Sequence, residues 1–385
     1  MIKKKIYFYY PCGKILTGQQ LASEQIISLF KNGSCFNLKP IKMKSFERLN
    51  KFLLLPIIKY LFCTFTLWFS FFRKLFVPSG VIYFNIGLTV NTLIRTGLPY
   101  LLLILVRKDH KSVVSLHGLF FLDWKKKNIK HKLLFYILNR STMVTVLGKR
   151  TQIFLCKNGI PEKKIFIIPN TSSFNPLSKK LINTKHLILV DKINVTFLSN
   201  MIKSKGYIEY LDALVCLSKN RDLKINVNAV LCGEFMQSNY SKQNISDLEG
   251  IVKNKINIIN SSSKIKIEWI KGLYGIKKEE LFKQTHIFVF PSKIEAQPIV
   301  LIEAMAAGCS IITTKVGEIS SMFTDNSAIL LKEIQHEELA YNILKLANNN
   351  ELRIKMAIEG LKIYQETFSN NMYYNNWINI FKSLV

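Results

Sequence analysis

Residues 286–319 read His286-IFVFPSKIEAQPIVLIEAMAAGCSIITTKVGE-Ile319. Ile287–Phe290 has the make-up of a short apolar strand, a polar loop follows, and a helix is expected to open at Pro298. Proline at the first helical position and Gly308 just past the end fit the usual start and stop asymmetry. A second β-type run, Ser310–Thr314, comes at once, so the unit is strand–loop–helix–strand. Such units bind ligands at the carboxyl ends of their strands, against helix N-termini. The unpaired N–H groups there and the positive end of the helix dipole favour phosphate.

Two carboxylates bracket that place. Glu295 lies in the loop and Glu303 stands inside the helix. A glutamate on a helix is most often solvated, but Glu303 sits in the apolar run Ile299-Val-Leu-Ile-Glu-Ala-Met-Ala-Ala. An unpaired carboxylate there is costly, so it needs a donor, and a pair of ligand hydroxyls is a good candidate.

The spacing of these two glutamates, the preceding Phe290-Pro-Ser and the following Ala304-Met-Ala-Ala-Gly308 resemble the donor-binding signature of retaining GT-B glycosyltransferases of family 4. The resemblance implies an α/β protein with two Rossmann-like domains facing each other across a cleft. It implies that Glu303 binds the ribose hydroxyls of a sugar nucleotide and that Glu295 contacts the transferred sugar. The backbone of Gln297, Pro298 and Ile299 would then hold the diphosphate. The family more often has glycine after the first glutamate, where this chain has Ala296.

A chain of 385 residues suggests two domains, each able to bury a core. With 49 % hydrophobic and 21 % charged residues it reads as globular rather than disordered. Seven scattered cysteines (12, 35, 63, 156, 216, 232 and 309) never form Cys-x-x-Cys, which argues for reduced thiols and against a zinc site. No metal-ligand cluster and no Asp-x-Asp appear, so no metal and no cofactor are expected; the nucleotide-sugar is a substrate. The net charge of +29 has three readings: a surface for anionic lipid or phosphate, nucleic-acid binding, or a Lys-, Ile- and Asn-rich composition set by an AT-rich genome. No recognised motif supports the nucleic-acid reading.

The start, Met1-IKKKIYFYYPCG-Lys14, is too short in apolar residues for a signal peptide and suits a first strand, Lys5–Tyr10. A loop over Pro11–Gln20 and a helix over Leu21–Lys31 follow, then strands near Val81–Asn85, Ser112–Leu116, Thr142–Val146 and Ile165–Ile168. Pro169-Asn170-Thr171 resembles the family's turn at the end of its first domain. The polar residues 172–192 read as the interdomain linker. The domains are therefore expected at 1–175 and 193–369. Second-domain strands are expected at Asn194–Leu198, Asn226–Leu231, Ile265–Trp269, Ile287–Phe290 and Ser310–Thr314, with helices between them including Tyr207–Leu217. Such alternation describes a parallel sheet covered on both faces. Tyr373, Tyr374, Trp377 and Phe381 recur at helical spacing in 370–385, a helix that in the resembled family packs back towards the first domain.

Phe52–Phe72 carries one charge, Lys59, and one proline, Pro56, in 21 residues. Alone it reads as a membrane-span candidate. A crossing would put strand Lys5–Tyr10 on the far side of the bilayer from its partners. The basic flanks, Lys42, Lys44, Arg48 and Lys51 before, Arg73 and Lys74 after, and the dense aromatics suit a helix lying in the interface; a buried core helix is the other choice. The membrane-associating segment is taken as 52–76, and Pro99–Val106 is either a second contact or core.

The resemblance extends to further positions. Phe197-LSNMIKSK-Gly206 resembles the family's Gly-Arg-x4-Lys-Gly element, with Lys205 as the diphosphate-binding lysine and Asn200 at the arginine position. Leu231-Cys-Gly-Glu and Trp269-Ile-Lys-Gly resemble the turns where Gly233 approaches the nucleotide and Gly272 lines the base. In the first half, His117, at a strand end before Gly118, matches a position near the transferred sugar. Gly18 resembles the first-loop glycine beside the donor. A lone histidine is more often structural, but a strand end followed by glycine, matching that family position, favours the site reading here. The implied reaction keeps the anomeric configuration without metal, with Glu295 and His117 orienting the sugar.

The expected activity is transfer of a hexosyl or N-acetylhexosaminyl unit from a nucleotide-sugar to a lipid-linked oligosaccharide of a surface polysaccharide (O-antigen, capsule or exopolysaccharide). The expected place is the cytoplasmic face of a bacterial membrane, held peripherally on its anionic surface. A non-hydrolysing sugar-nucleotide epimerase shares the fold but needs no apolar basic-flanked segment. A catalytically idle membrane-peripheral binding protein is the third class.

Overall fold

Runs of three to eight residues, most of them rich in Ile, Val, Phe and Tyr, form twelve strands among the described residues. The computed structural model describes residues 5–13, 18–31, 36–44, 54–125, 128–187, 192–236 and 245–384. Part of the expected first loop (14–17) and part of the basic flank and apolar segment (48 and 51–53) lie outside them. The chain divides into two compact units, Met1–Asn170 with Asn371–Val385, and Thr171–Asn370.

The first unit holds β1 (Lys5–Cys12), β2 (Asn37–Lys44), β3 (Val81–Asn85), β4 (Lys111–Ser115), β5 (Met143–Val146) and β6 (Ile165–Ile167). They pair in parallel in the order β2-β1-β3-β4-β5-β6. Successive side chains of a strand point to opposite faces, and β1 divides accordingly. Ile6, Phe8 and Tyr10 enter one core with Ile26, Phe30, Trp377 and Phe381. Tyr7 and Tyr9 enter the other with Leu67, Phe71 and Tyr100. Ring stacking marks both faces, Phe8 on Tyr83 at 4.0 Å and Tyr9 on Phe71 at 4.1 Å. The helix Asn370–Ser383 is thus part of the first unit's core: Tyr373, Trp377 and Phe381 are buried, and the Tyr373 hydroxyl donates to the Ala22 carbonyl at 3.2 Å.

The second unit holds β7 (Lys192–Leu198), β8 (Asn226–Cys232), β9 (Ile265–Ile270), β10 (Ile287–Phe290), β11 (Ser310–Thr314) and β12 (Ile329–Leu331), all parallel, in the order β12-β11-β10-β7-β8-β9. This is the doubly wound order, and the winding reverses between β7 and β10. Both sheets are α/β and Rossmann-like, as the alternation of the sequence requires.

Three readings are corrected. Residues 172–192 are not a bare linker: Lys179–Leu187 is a helix of the second unit, with Ile182 buried in that unit's core. Pro298 is the residue before the helix, its ψ of 123° still extended, and the helix runs Ile299–Ala306. Strand β1 continues through Pro11 to Cys12, because Pro11 pairs with Met43 of a strand that the sequence reading lacked. No helix among the described residues is long and apolar enough to cross a membrane.

Two buried histidines tie Lys179–Leu187 and β10 together. His186 Nε2 meets the Gly308 carbonyl at 2.9 Å; His286 Nδ1 accepts from the Asn194 amide at 3.0 Å while its Nε2 meets the Lys185 carbonyl at 3.0 Å. Burial, then the neighbouring Lys185 charge, pushes His186 down to about 3 and His286 down to about 4. Both stay neutral in the folded chain where the unfolded chain, titrating near 6.5, takes up protons. Their contribution is therefore present above pH ~6.5 and is lost as pH falls towards the folded values, at ~1.4 kcal/mol per pH unit for each group. Urea midpoints measured from pH 7 down to pH 5 are expected to fall, and His286→Gln is expected to flatten that slope.

Candidate functional site

Where the winding reverses, the loops after β7 and β10 leave the sheet side by side. After β7 the chain makes a single 3-10 turn, Lys203–Lys205, and reaches Gly206 at φ +80°. A Cβ on Gly206 would lie 2.1 Å from the Pro291 carbonyl oxygen, so both the backbone conformation and the close approach demand glycine. The Ser204 carbonyl accepts from the Lys293 amide at 2.8 Å and from the Ser292 hydroxyl at 3.1 Å. Lys205 Nζ and Glu295 Oε1 pair at 2.5 Å, and Lys293 Nζ pairs with Glu209 at 2.6 Å. The β7 turn and the β10 loop are one ionic and backbone-linked structure, and it brings Lys205 and Glu295 together.

Beyond that loop the Ala296 carbonyl accepts from the Glu318 amide at 2.9 Å, and Gln297 is buried. Pro298 has no N–H, so the amides at this helix start belong to Gln297 and Ile299. Glu303 is buried, with Leu301, Ile302, Ala304 and Met305 around it in sequence. Its donor is Lys278, on the helix Gly275–Gln284: Lys278 Nζ lies 2.8 Å from Oε1 and 2.6 Å from Oε2. Burial raises Glu303 above the ordinary carboxylate range, and the Lys278 ammonium offsets only part of that rise. Glu303 thus has a side-chain partner, Lys278, that the sequence reading missed. It lies in Lys277-Lys-Glu-Glu280, a run that looks like a solvated helix face. The only signal available was the need of a buried carboxylate for a cation.

The ends of β8 and β9 complete the group. A Cβ on Gly233 would sit 1.9 Å from the Ser199 carbonyl oxygen, so Gly233 lets the β8 turn lie against the β7 turn. The Met201 amide donates to the Glu234 carbonyl at 2.8 Å, and Trp269 Nε1 donates to the Gly233 carbonyl at 3.0 Å. Trp269 therefore braces the neighbouring turn. Gly272, at φ +84°, faces Glu234, whose Oε1 would be 3.4 Å from a Cβ there. Asn200 is exposed on the β7 turn.

Gly18 and His117 belong to the first unit. Gly18 opens the helix Gly18–Lys31 and is exposed. The next residue, Gln19, donates to Asn85 at the end of β3, and Asn85 Nδ2 donates to the Ser23 hydroxyl at 3.3 Å. His117 follows β4; its Nε2 meets the Ser115 hydroxyl at 2.9 Å, while Nδ1 is sealed without a hydrogen-bond partner among the described residues. Burial pushes His117 down to about 4, so its ring is neutral near pH 7.

Residues 178–362 match the family of glycosyl transferases group 1. The capsular polysaccharide biosynthesis glycosyltransferase CapM of Staphylococcus aureus is 25 % identical over 248 residues, which cover 64 % of this chain and 57 % of that protein. An uncharacterized glycosyltransferase of Methanocaldococcus jannaschii, MJ1069, is 24 % identical over 80 % of this chain and 75 % of that one. Two solved structures share the fold across nearly the whole length of both chains. Anabaena HepE in complex with UDP and glucose has a TM-score of 0.68 at 15 % identity, covering 99 % of this chain and 100 % of that one. Sucrose-phosphate synthase of Thermosynechococcus elongatus has 0.71 at 14 %, covering 99 % of each. A doubly wound second unit, its ionic loops at the winding reversal and these likenesses define a GT-B protein. The second unit, over residues 178–362, is similar to the group 1 glycosyltransferases.

Two measurements check the ionic and steric scaffold. Lys278→Met leaves Glu303 buried without a cation and should destabilise the chain by about 3 kcal/mol in urea unfolding, with Lys278→Met/Glu303→Met recovering most of the loss. Gly206→Ala should cost about 2 kcal/mol or more, because the positive φ and the Pro291 contact are both violated; thermal melting reads it directly.

Proposed function

We infer that the chain transfers a sugar from a nucleotide-sugar donor to a membrane-lipid-linked glycan, in the synthesis of a cell-surface polysaccharide. The observation that carries this reading is the Lys205–Glu295 pair at 2.5 Å, held between the β7 and β10 loops at the winding reversal of the second sheet. Sugar transfer needs a grip on ribose, neutralisation of the leaving diphosphate, and a pocket for the sugar. Lys205 and the Gln297 and Ile299 amides are suited to the diphosphate, Glu303 to the ribose hydroxyls, and Glu295 to the sugar. Asn200 has an amide but no charge at the arginine position, so the positive charge of this turn comes from Lys203 or from Lys205 with the helix-start amides. Gly233 and Gly272 keep two neighbouring turns low enough for a nucleotide.

The reaction is proposed to be metal-independent and to retain configuration, the leaving phosphate itself assisting the acceptor hydroxyl on the same face. No side chain is assigned as a covalent nucleophile. His117 is proposed to orient the sugar by hydrogen bonding, a role suited to a ring that burial keeps neutral near pH 7. The relatives guide the substrates: CapM and CapH of Staphylococcus aureus are named for capsular polysaccharide biosynthesis, and HepE was solved with UDP-glucose.

Melting temperature against UDP, GDP, ADP, dTDP and their sugar conjugates tests the donor site. A ligand at a hundred times its dissociation constant stabilises by about 2.7 kcal/mol. One nucleotide family should raise the melting temperature of the wild type, and Glu303→Ala, read against its own unliganded value, should lose that rise. An undiminished rise in Glu303→Ala would remove Glu303 from the site. Turnover of donor with no acceptor present would favour an epimerase.

A further inference from the structure

The helix Leu54–Phe72 is apolar on two sides, and only one of them is covered. Inward, Leu67 and Phe71 are buried in the core beneath the sheet, Phe71 stacked on Tyr9 and Trp68 Nε1 donating to the Arg95 carbonyl at 2.9 Å. Outward, Ile58, Phe62, Phe65, Phe69 and Phe72 recur in alternating steps of four and three residues, with Leu61 four before Phe65, so they form one stripe. Phe62 and Phe65 are 65 % and 70 % exposed. The stripe continues to Phe76, which is 76 % exposed and lies edge-on to Phe72 at 5.4 Å. Leu102 and Val106, exposed on the helix Leu98–Val106 that packs beside it, extend the apolar surface. Soluble surfaces rarely leave so large an apolar patch open to water.

The charge around the stripe says what covers it. From Arg48 to Lys108 the sequence has no Asp or Glu, while Lys59, Arg73 and Lys108 are among its basic residues; Arg107 is paired with Asp109 at 2.6 Å, and Lys74 lies over the Tyr7 ring. Lys59 and Arg73 are exposed at the stripe itself. A second copy of the chain would bring the same positive rim against its own, which is repulsive. An anionic lipid surface offers hydrocarbon to the aromatics and phosphate to the rim.

We propose that this stripe is a docking surface for an anionic bilayer, with the helix lying in the interface plane for its length of roughly 28 Å. It cannot turn across the membrane without pulling Leu67 and Phe71 out of the sheet's core. The proposal deepens the reading of a lipid-linked acceptor and rests on it for its biological purpose, though the surface physics stands alone.

The test is co-sedimentation of the full chain with phosphatidylcholine vesicles and with vesicles carrying about 30 % phosphatidylglycerol, at low salt and at about 0.5 M salt. The wild type should pellet with the anionic vesicles, roughly tenfold less with the neutral ones, and less again at high salt. Phe62→Ser/Phe65→Ser/Phe69→Ser should lose anionic binding by roughly tenfold or more at an unchanged melting temperature, since all three rings face water. Equal binding by the triple variant, or a wild type that stays in the supernatant, overturns the proposal. So does a wild-type dimer in solution that the triple variant dissociates, because the stripe then meets a second copy. Nucleotide-induced melting shifts keep the two readings apart: their absence alongside intact vesicle binding sinks the transferase reading and leaves the docking surface standing.

Discussion

Only a hydrogen atom fits between the Cα of Gly206 and the Pro291 carbonyl, and the geometry of the second unit depends on that contact. Parallel doubly wound pairing sets β7 beside β10, so their outgoing loops must pass each other at the sheet's carboxyl edge. With glycine at the crossing, the loops lie close enough for Ser204 to accept from Lys293 and for Lys205 to meet Glu295. Any other residue would push them apart and separate the ion pair. The sterics come first, and the electrostatics of the site follow from them.

The short helix Ile299–Ala306 is similarly held, at its C-terminal end and in its middle. Its C-terminal carbonyls receive Lys185 Nζ, at 3.0 Å from Ala307 and 3.3 Å from Gly308, from the helix that precedes β7. A cation there complements the negative end of the dipole. Glu303 in its middle is balanced by Lys278. These two lysines come from different helices, so the position of this helix is set by three elements of one unit.

Most of the second sheet is legible because its strands are continuous apolar runs, and Ile287–Phe290 and Ser310–Thr314 coincide with the expected limits. Strand β2 was not, because Asn37-LKPIKM-Lys44 contains lysines and a proline and only Met43 of it is buried. It is a strand through pairing with β1, information that lies in another part of the chain. β12, with three residues, is shorter than any periodic signal. The helix Lys179–Leu187 commits little more than Ile182 and His186 to the interior, so its pattern reads as linker. Within the site, Glu295, Glu303 and Lys205 stand out because their local context is unusual. Lys278 does not: its exposed-looking neighbours say nothing of a partner 25 positions later. Sequence reading finds the carboxylate that needs a cation but not the cation that answers it.

The route of the chain has a consequence for how the protein is made. The first unit takes its last helix from residues 371–385, after the whole second unit has been traversed. Trp377 and Phe381 fill a core whose other wall, Phe8, Phe30 and Tyr83, leaves the ribosome some three hundred residues earlier. During synthesis that wall waits with its aromatic face uncovered, while Thr171–Asn370 has all of its own strands and can close first. The nascent first unit is therefore the vulnerable half, complete only once its last helix has been made.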